Sequence, residues 1–483
     1  MRKHVVSYAV LVIISVLGLA VLLSFGSRLQ TPAATPSLPV SAPNLAPNLA
    51  PNLDTAPAPA LAAGLRETLS DPLSILLLQI VVIVVAARLA GAVFAKMGQP
   101  SVIGEMVAGI LLGPSLLGLL FPDALAFLFP ASSLGMLKLF SQVGVILFMF
   151  LVGMDLDLRH LREKAHSAVI VSHASIFLPM LLGVGLALFL YKSQAPEGVA
   201  FSSFALFMGI AMSITAFPVL ARILEERGLA KTPLGTTSIA CAAVDDVTAW
   251  CLLAMVVALA RAQGMASAFL TIGLALAFVG IMLLVIRPWV DRTIEKTRFH
   301  GRTIMAGTVV FAFAAAWFTE VIGIHALFGA FLAGVVAPSQ KAFRAGLRDR
   351  MEVLVSVLLL PLFFAFTGLR TQIGLLDDMG SWLLCAAVVA VAVAGKLGGS
   401  TLASRWTGMS WRDSFSIGAL MNTRGLMELI VLNIGYDLGI LSQKIFAVMV
   451  VMALVTTFMT APILALVESR KRKEALQESL LST

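Results

Sequence analysis

Two aspartates, Asp245 and Asp246, stand side by side in "ACAAVDDVTAWCLLA" at 240–254, a stretch otherwise built of small or apolar residues and carrying no lysine or arginine. Neighbours on a helix point about 100° apart, so the two carboxylates cannot share one face. One can address a substrate while the other holds a partner. A hard monovalent cation such as Na⁺ or K⁺ takes oxygen ligands, and a carboxylate withdrawn from water beside a second one can be discharged by a cation or by a proton. Competition between the two is a sufficient chemistry for exchange: protonation expels the cation, and the cation expels the proton.

Lys396, in "VAGKLGGS", supplies the charge partner. A buried lysine beside a carboxylate forms an ion pair that can open when the carboxylate takes a cation, and a lysine so displaced is a second proton carrier. The competing reading is a lysine snorkelling from a helix end, since "GGS" and "SRW" follow it. A second element is "GIAMSITAFPVLARILEERGL", which sets Ser213, Thr215 and Pro218 in an apolar helix. Pro218 removes a backbone hydrogen bond and clashes with the carbonyl of Ile214, four residues back. A loosened backbone at 213–216 presents carbonyl and hydroxyl oxygens, which at membrane depth is tolerated only where it lines a cavity. The plain alternative is an ordinary proline kink. Arg424 and Glu428, in "MNTRGLMELIVLNIG", add two further charges inside an apolar run, while Glu105 and His325 lie nearer to segment ends. For His325 a packing role outweighs a pH-sensing one.

The elements that must hold these groups follow from composition. Of 483 residues, 59% are hydrophobic and 12% charged, too little polar surface to cover a soluble protein of this size. Apolar segments of about 20 residues, enough to cross a roughly 30 Å hydrocarbon core as a helix, recur along the chain. The pattern excludes a β-barrel, whose short strands alternate polar and apolar residues. It predicts an all-α polytopic membrane protein: thirteen helices between about 72 and 467, preceded by one isolated apolar segment at about 5–25.

Lysine and arginine fall in every second connection, among them Lys96; Arg159, Arg162 and Lys164; Arg227 and Lys231; Arg298; and the tail "ESRKRK". The excess of such residues on the cytoplasmic side puts the C-terminus there and the first of the thirteen helices starting outside. The expected division is a signal anchor or signal peptide at 1–26, a Pro- and Ala-rich extracytoplasmic linker with a threefold "APNL" at 27–70, a transmembrane exchanger domain at 71–467, and a short basic cytoplasmic tail at 468–483. The net charge of +8 is mostly this inside-positive bias and does not point to nucleic acid. Cys241, Cys251 and Cys385 read as small buried hydrophobes. No C-x-x-C, His-rich or phosphate-loop motif appears, so no cofactor is expected, and a redox enzyme, a zinc site or an ATP-driven pump is disfavoured. "GEMVAGILLGPSLLG" and "GIHALFGAFLAGVVAP", in the second and ninth segments, share closely spaced small residues followed by proline, which suggests tightly packed helices and adds support for a transporter-type internal repeat.

Taken together, "GEMVAGILLGPSLLG", "LFMFLVGMDLDL", "SITAFPVLARILEERGL", "AAVDDVTAWCLLA", "GIHALFGAFLAGVVAP" and "NTRGLMELIVLNIGYDLGIL", in this order over about 70–467, resemble the monovalent cation:proton antiporter-2 family, and most of all its plant and fungal K⁺/H⁺ exchanger branch. The resemblance implies a thirteen-helix antiporter fold with inverted repeats. It also implies two broken helices crossing near the midplane and a separate dimerisation domain, in a homodimer working by an elevator-like movement. Carried over, Asp246 looks like the essential cation and proton carrier, and Asp245 like its neighbour paired with Lys396. Thr215 and Ser213 look like residues of the unwound crossing, and Arg424 and Glu428 match the polar core helix. With only a short tail after the last predicted helix, the nucleotide-binding regulatory domain of Kef-type proteins is not expected here, and the N-terminal span and tether are expected as extras to the family core.

The expected function is therefore antiport of K⁺ or Na⁺ against H⁺ across a bilayer, such as a bacterial inner membrane. Neither ion selectivity nor stoichiometry is fixed by spacing. A cation channel or uniporter of the same topology is the alternative; a fixed lysine charge beside the Asp pair obstructs free cation flow yet suits a switching ion pair. An aspartyl protease dyad would need facing carboxylates from two helices. The Asp pair also argues against an anionic cargo.

Overall fold

The computed structural model describes residues 2–29, 71–155, 165–261, 265–296, 301–338 and 340–481. The tether beyond Leu29, the basic residues Arg159, Arg162 and Lys164, and Arg298 lie outside the described residues.

The described chain is helical. α1 (Arg2–Gly26) precedes the tether. After it come α2 (Pro72–Lys96), α3 (Ser101–Leu112), α4 (Ala131–Asp155), α5 (Ala165–Gln194), the broken pair α6 (Phe201–Ala211) and α7 (Phe217–Glu226), and α8 (Pro233–Arg261). α9 (Met265–Ile281) runs on through a π-helical turn to Lys296, and α10 (Gly301–Val321) and α11 (Ala326–Val336) follow. α12 (Lys341–Leu354) continues through Val355–Leu359 to Arg370, and α13 (Met379–Val393) through the π-helical turn Ala394–Gly398 to Trp406. A second broken pair, α14 (Trp411–Met421) and α15 (Leu426–Asp437), leads into α16 (Gln443–Leu481).

Among the described residues nine helices are long and apolar enough to cross a membrane, and α14 with α15 passes the same test as one span bent by 43°. Each of the thirteen predicted segments falls on one of these, on the other broken pair, or on the shorter apolar helices α10 and α11. The predicted tail continues α16 as helix to Leu481, and α12 begins at Lys341, before the predicted 352, because "KAFRAGLRDRMEVL" is amphipathic rather than uniformly apolar.

The helices sort into two bundles. α2, α3, α4, α10, α11 and α12 pack together; so do α5 to α8 with α13 to α16, and α1 lies against α5 and α6 of this second bundle. α9 stands between, touching α8 and α11. The small-residue faces predicted for the second and ninth segments are where α3 meets α2 and α12, and where α11 meets α4 and α10, as expected where backbones must approach closely. The exterior is apolar: Leu73, Leu77, Val81, Val85, Leu89 and Val93 of α2 form a stripe 52–65% exposed, the surface a hydrocarbon solvent requires. One cysteine departs from its expected place. Cys241 and Cys385 are buried, but Cys251 is exposed on the outer face of α8, where an apolar solvent replaces protein contacts.

Candidate functional site

The site forms where the two broken helices meet. In the first, α6 ends at Ala211, the backbone runs unwound to Ala216, and Pro218 sits in the first turn of α7, where its missing N–H is not needed. In the second, α14 ends at Met421 and α15 starts at Leu426. Between them Gly425 has φ +141°, a backbone that side-chain-bearing residues rarely adopt. The breaks are joined directly: Ala216 N donates to Thr423 O at 2.9 Å. Arg424 closes the other side, donating from Nη1 to Ala211 O at 2.9 Å and from Nη2 to Met212 O at 2.5 Å. These carbonyls end α6 and have lost their helical donors, so a guanidinium satisfies them and opposes the negative end of the helix dipole. Glu428 Oε2 receives Arg424 Nη1 at 3.3 Å, while Glu428 Oε1 and Arg424 Nε stay buried without partners.

Beside this crossing, α8 carries Asp245 and Asp246, both buried. Asp245 is held by two helices and the first break. Ser172 Oγ of α5 donates to its Oδ1 at 3.0 Å, Lys396 Nζ of α13 donates to its Oδ2 at 2.8 Å, and the Thr215 hydroxyl of the first break also donates to Oδ2. The lysine is saturated, donating in addition to Ser175 Oγ at 2.9 Å and Thr215 Oγ1 at 2.5 Å. Its ammonium thus has one acceptor for each of its three protons. Lys396 is a fully buried ion-pair partner, not a snorkelling residue.

Two sequence details bring these groups together. Pro179, inside α5, removes the backbone donor that would otherwise reach the carbonyl of Ser175, loosening that turn. Gly395, next to Lys396, lets α13 approach this point; a Cβ there would stand 2.9 Å from Pro179 Cα. Lys396 itself lies in the π-helical turn Ala394–Gly398, a local widening common at functional positions.

Asp246 is the exception. Its Oδ1 is buried with no hydrogen-bond partner. The structure therefore separates the predicted residues: Asp245, Thr215 and Lys396 form one network, and Asp246 stands beside it. Ser213 belongs to neither, since its hydroxyl lies 2.7 Å from Gly209 O and 2.9 Å from Ile176 O, within the wall of the break. Glu105 faces Arg88 at 3.7 Å inside the first bundle, and His325 caps α11 through Nδ1, which accepts from Leu327 N at 3.4 Å. Ser172 and Ser175 were not foreseen. Their only signal is polarity at i and i+3 on one face of an apolar helix in "IVSHASIFLPM".

Two cavities enter between the bundles from opposite ends. One, of about 520 Å³, is lined by Phe217, Pro218, Ile239, Phe364 and Leu426 on the side of the basic loops. The other, of about 420 Å³, is lined by Phe363, Ile430, Asn433, Asp437, Lys138 and Glu320. Their floors lie one turn apart on α15, at Leu426 and Ile430, and on adjacent residues of α12, Phe364 and Phe363. Asp245 and Asp246 line neither.

A crossed pair of broken helices with a buried carboxylate beside it is an arrangement for moving ions, and comparison with known proteins agrees. Residues 81–466 match the family model described as sodium/hydrogen exchanger, transmembrane. The chain belongs to this family. It is a transporter rather than an enzyme. It is 43% identical over 398 residues to the Na(+)/H(+) antiporter NhaS4 of Synechocystis sp., covering 82% of this chain and 97% of that one. It is 34% identical over 424 residues to K(+)/H(+) antiporter 1 of Saccharomyces cerevisiae, covering 85% of this chain but 48% of the yeast protein. The fold matches that of the sodium proton antiporter MjNhaP1 from Methanocaldococcus jannaschii with a TM-score of 0.59 at 12% identity, over 80% of this chain and 97% of that one. The exchanger thus has a cation/proton antiporter fold, as expected from the sequence.

Proposed function

We propose that this exchanger carries Na⁺ or K⁺ against protons, with Asp246 as the carboxylate for which the two compete. The observation that carries the reading is the asymmetry of the aspartates: Asp245 is neutralised and hydrogen-bonded, whereas Asp246 has a buried oxygen without a partner. A buried carboxylate oxygen left unpaired is costly, and binding either a cation or a proton relieves that cost. Thr215 supports Asp245, and Ser213 holds the broken backbone beside it. Arg424, Glu428 and Pro218 keep the two breaks open.

Alternating access follows from the two bundles. The second bundle, holding the site, moves past the first, so that Asp246 opens in turn to each of the two cavities. Two separate cavities count against a passive channel, which needs one continuous passage. The excess of lysine and arginine in alternate loops supports a cytoplasmic C-terminal end of α16, in a membrane such as a bacterial inner one. The exposed stripe on α2 offers a second copy a face for the implied homodimer, on the bundle that stays still.

The test is coupling. In proteoliposomes with the membrane potential clamped near zero, an outward gradient of Na⁺ or K⁺ is expected to drive protons inward against their own gradient. Cation flux without uphill proton movement would assign the protein to the channel class.

A further inference from the structure

Ser175 occupies a place in the network that no motif marks. It accepts the third proton of the Lys396 ammonium at 2.9 Å, and its own hydroxyl lies 3.5 Å from Asp245 Oδ2. All three groups are buried. Were Ser175 absent, one N–H of a buried ammonium would lose its acceptor. On the next residue of α8 stands a carboxylate oxygen, Asp246 Oδ1, that has no donor. A buried charged donor and a buried charged acceptor, each lacking a partner, attract one another strongly in such surroundings.

We propose that Ser175 is a positioning residue that holds the ammonium of Lys396 on Asp245 and so keeps it from competing with the transported cation for Asp246. This rests on the reading of Asp246 as the exchange site. Ser172 acts differently: it donates to the far oxygen of Asp245 and is not among the three acceptors of the lysine. The two serines share a helix and both reach Asp245, but only Ser175 is bonded to the lysine, which makes each a control for the other. In the intact protein Lys396 is the internal cation of the site, kept to one carboxylate by three acceptors. The transported ion, arriving from either cavity, finds the second carboxylate unclaimed.

Serine to alanine removes one oxygen and creates almost no void, so both variants are expected to fold, which gel filtration and thermal melting of the purified proteins check. In proteoliposomes Ser175→Ala is expected to raise the apparent KM for the driving cation on the order of tenfold, the worth of one hydrogen bond to a charged group. The maximal rate should change much less than KM. Ser172→Ala should raise KM by a smaller factor, and Ser175→Thr, which keeps the acceptor oxygen, should restore most of the wild-type value. An unchanged KM in Ser175→Ala, or equal effects of the two alanines, overturns the proposal. Asp246→Asn measured alongside separates the two claims. If it still exchanges, the site assignment has failed; if it is inactive while Ser175→Ala has a wild-type KM, only the positioning role has.

Discussion

Lys396 Nζ lies 2.8 Å from Asp245 Oδ2, whereas Oδ1 of Asp246, one residue further along α8, has no partner. The pair is fully buried. Its attraction offsets the cost of dehydrating both charges only because Ser172, Ser175 and Thr215 satisfy what remains.

Removing one member of that pair is expected to cost far more than removing both. Lys396→Met strands the Asp245 carboxylate and should destabilise the protein by about 3–5 kcal/mol. Lys396→Met with Asp245→Asn should recover most of the loss. Thermal melting in detergent measures both; a single variant as stable as wild type would mean that the pair contributes nothing to folding.

Competition at one carboxylate fixes the sign of the pH dependence. As pH falls, protons occupy Asp246, so the apparent KM for the cation should rise by about tenfold per pH unit on the acid limb, while saturating cation restores the rate. Raising the cation concentration should therefore move that limb to lower pH. Initial rates across a grid of pH and cation concentration show this; a limb that stays in place at every cation concentration would separate the proton site from the cation site.

The charged residues were legible because a charge inside an apolar run has few explanations: Asp245, Asp246 and Lys396 stand out of "AAVDDVTAW" and "AVAGKLGGS" unaided. Pro218 likewise announced the first break. The pairing is not legible from spacing, since nothing local says which aspartate a lysine 151 positions from Asp245 will choose; only the family resemblance points to it. Ser172 and Ser175 escaped because serine is common in apolar helices and their partners lie 70 or more positions along the chain. The Arg424 contacts with Ala211 O and Met212 O span more than 200 positions and arise only when two helices break at one place.

The second break depends on Gly425. With φ at +141° any side chain strains the backbone, so Gly425→Ala should cost roughly 1–3 kcal/mol and slow exchange, even though the substituent is small. Melting temperature and exchange rate should fall together. A variant with wild-type values of both would show that the turn can reform without the unusual φ.

At the end away from the basic loops, Asp437 of α15 shares its carboxylate between Arg370 of α12 at 2.7 Å and Lys138 of α4 at 3.2 Å, tying the second bundle to the first. Asp437→Asn is expected to loosen that end and open the cavity above Ile430. A cysteine placed at Ile430, in a background lacking the native three, should then react faster with a water-soluble maleimide. An unchanged labelling rate would mean that the ion pairs do not restrain the bundles.

The central claim, that cation and proton use the same oxygen atoms of Asp246, is tested most directly by Asp246→Asn in proteoliposomes bearing a pH gradient. Addition of Na⁺, K⁺ or Li⁺ is expected to dissipate the gradient with wild type and to have no effect beyond that in protein-free vesicles with the variant. Dissipation by Asp246→Asn at the wild-type rate would contradict the account.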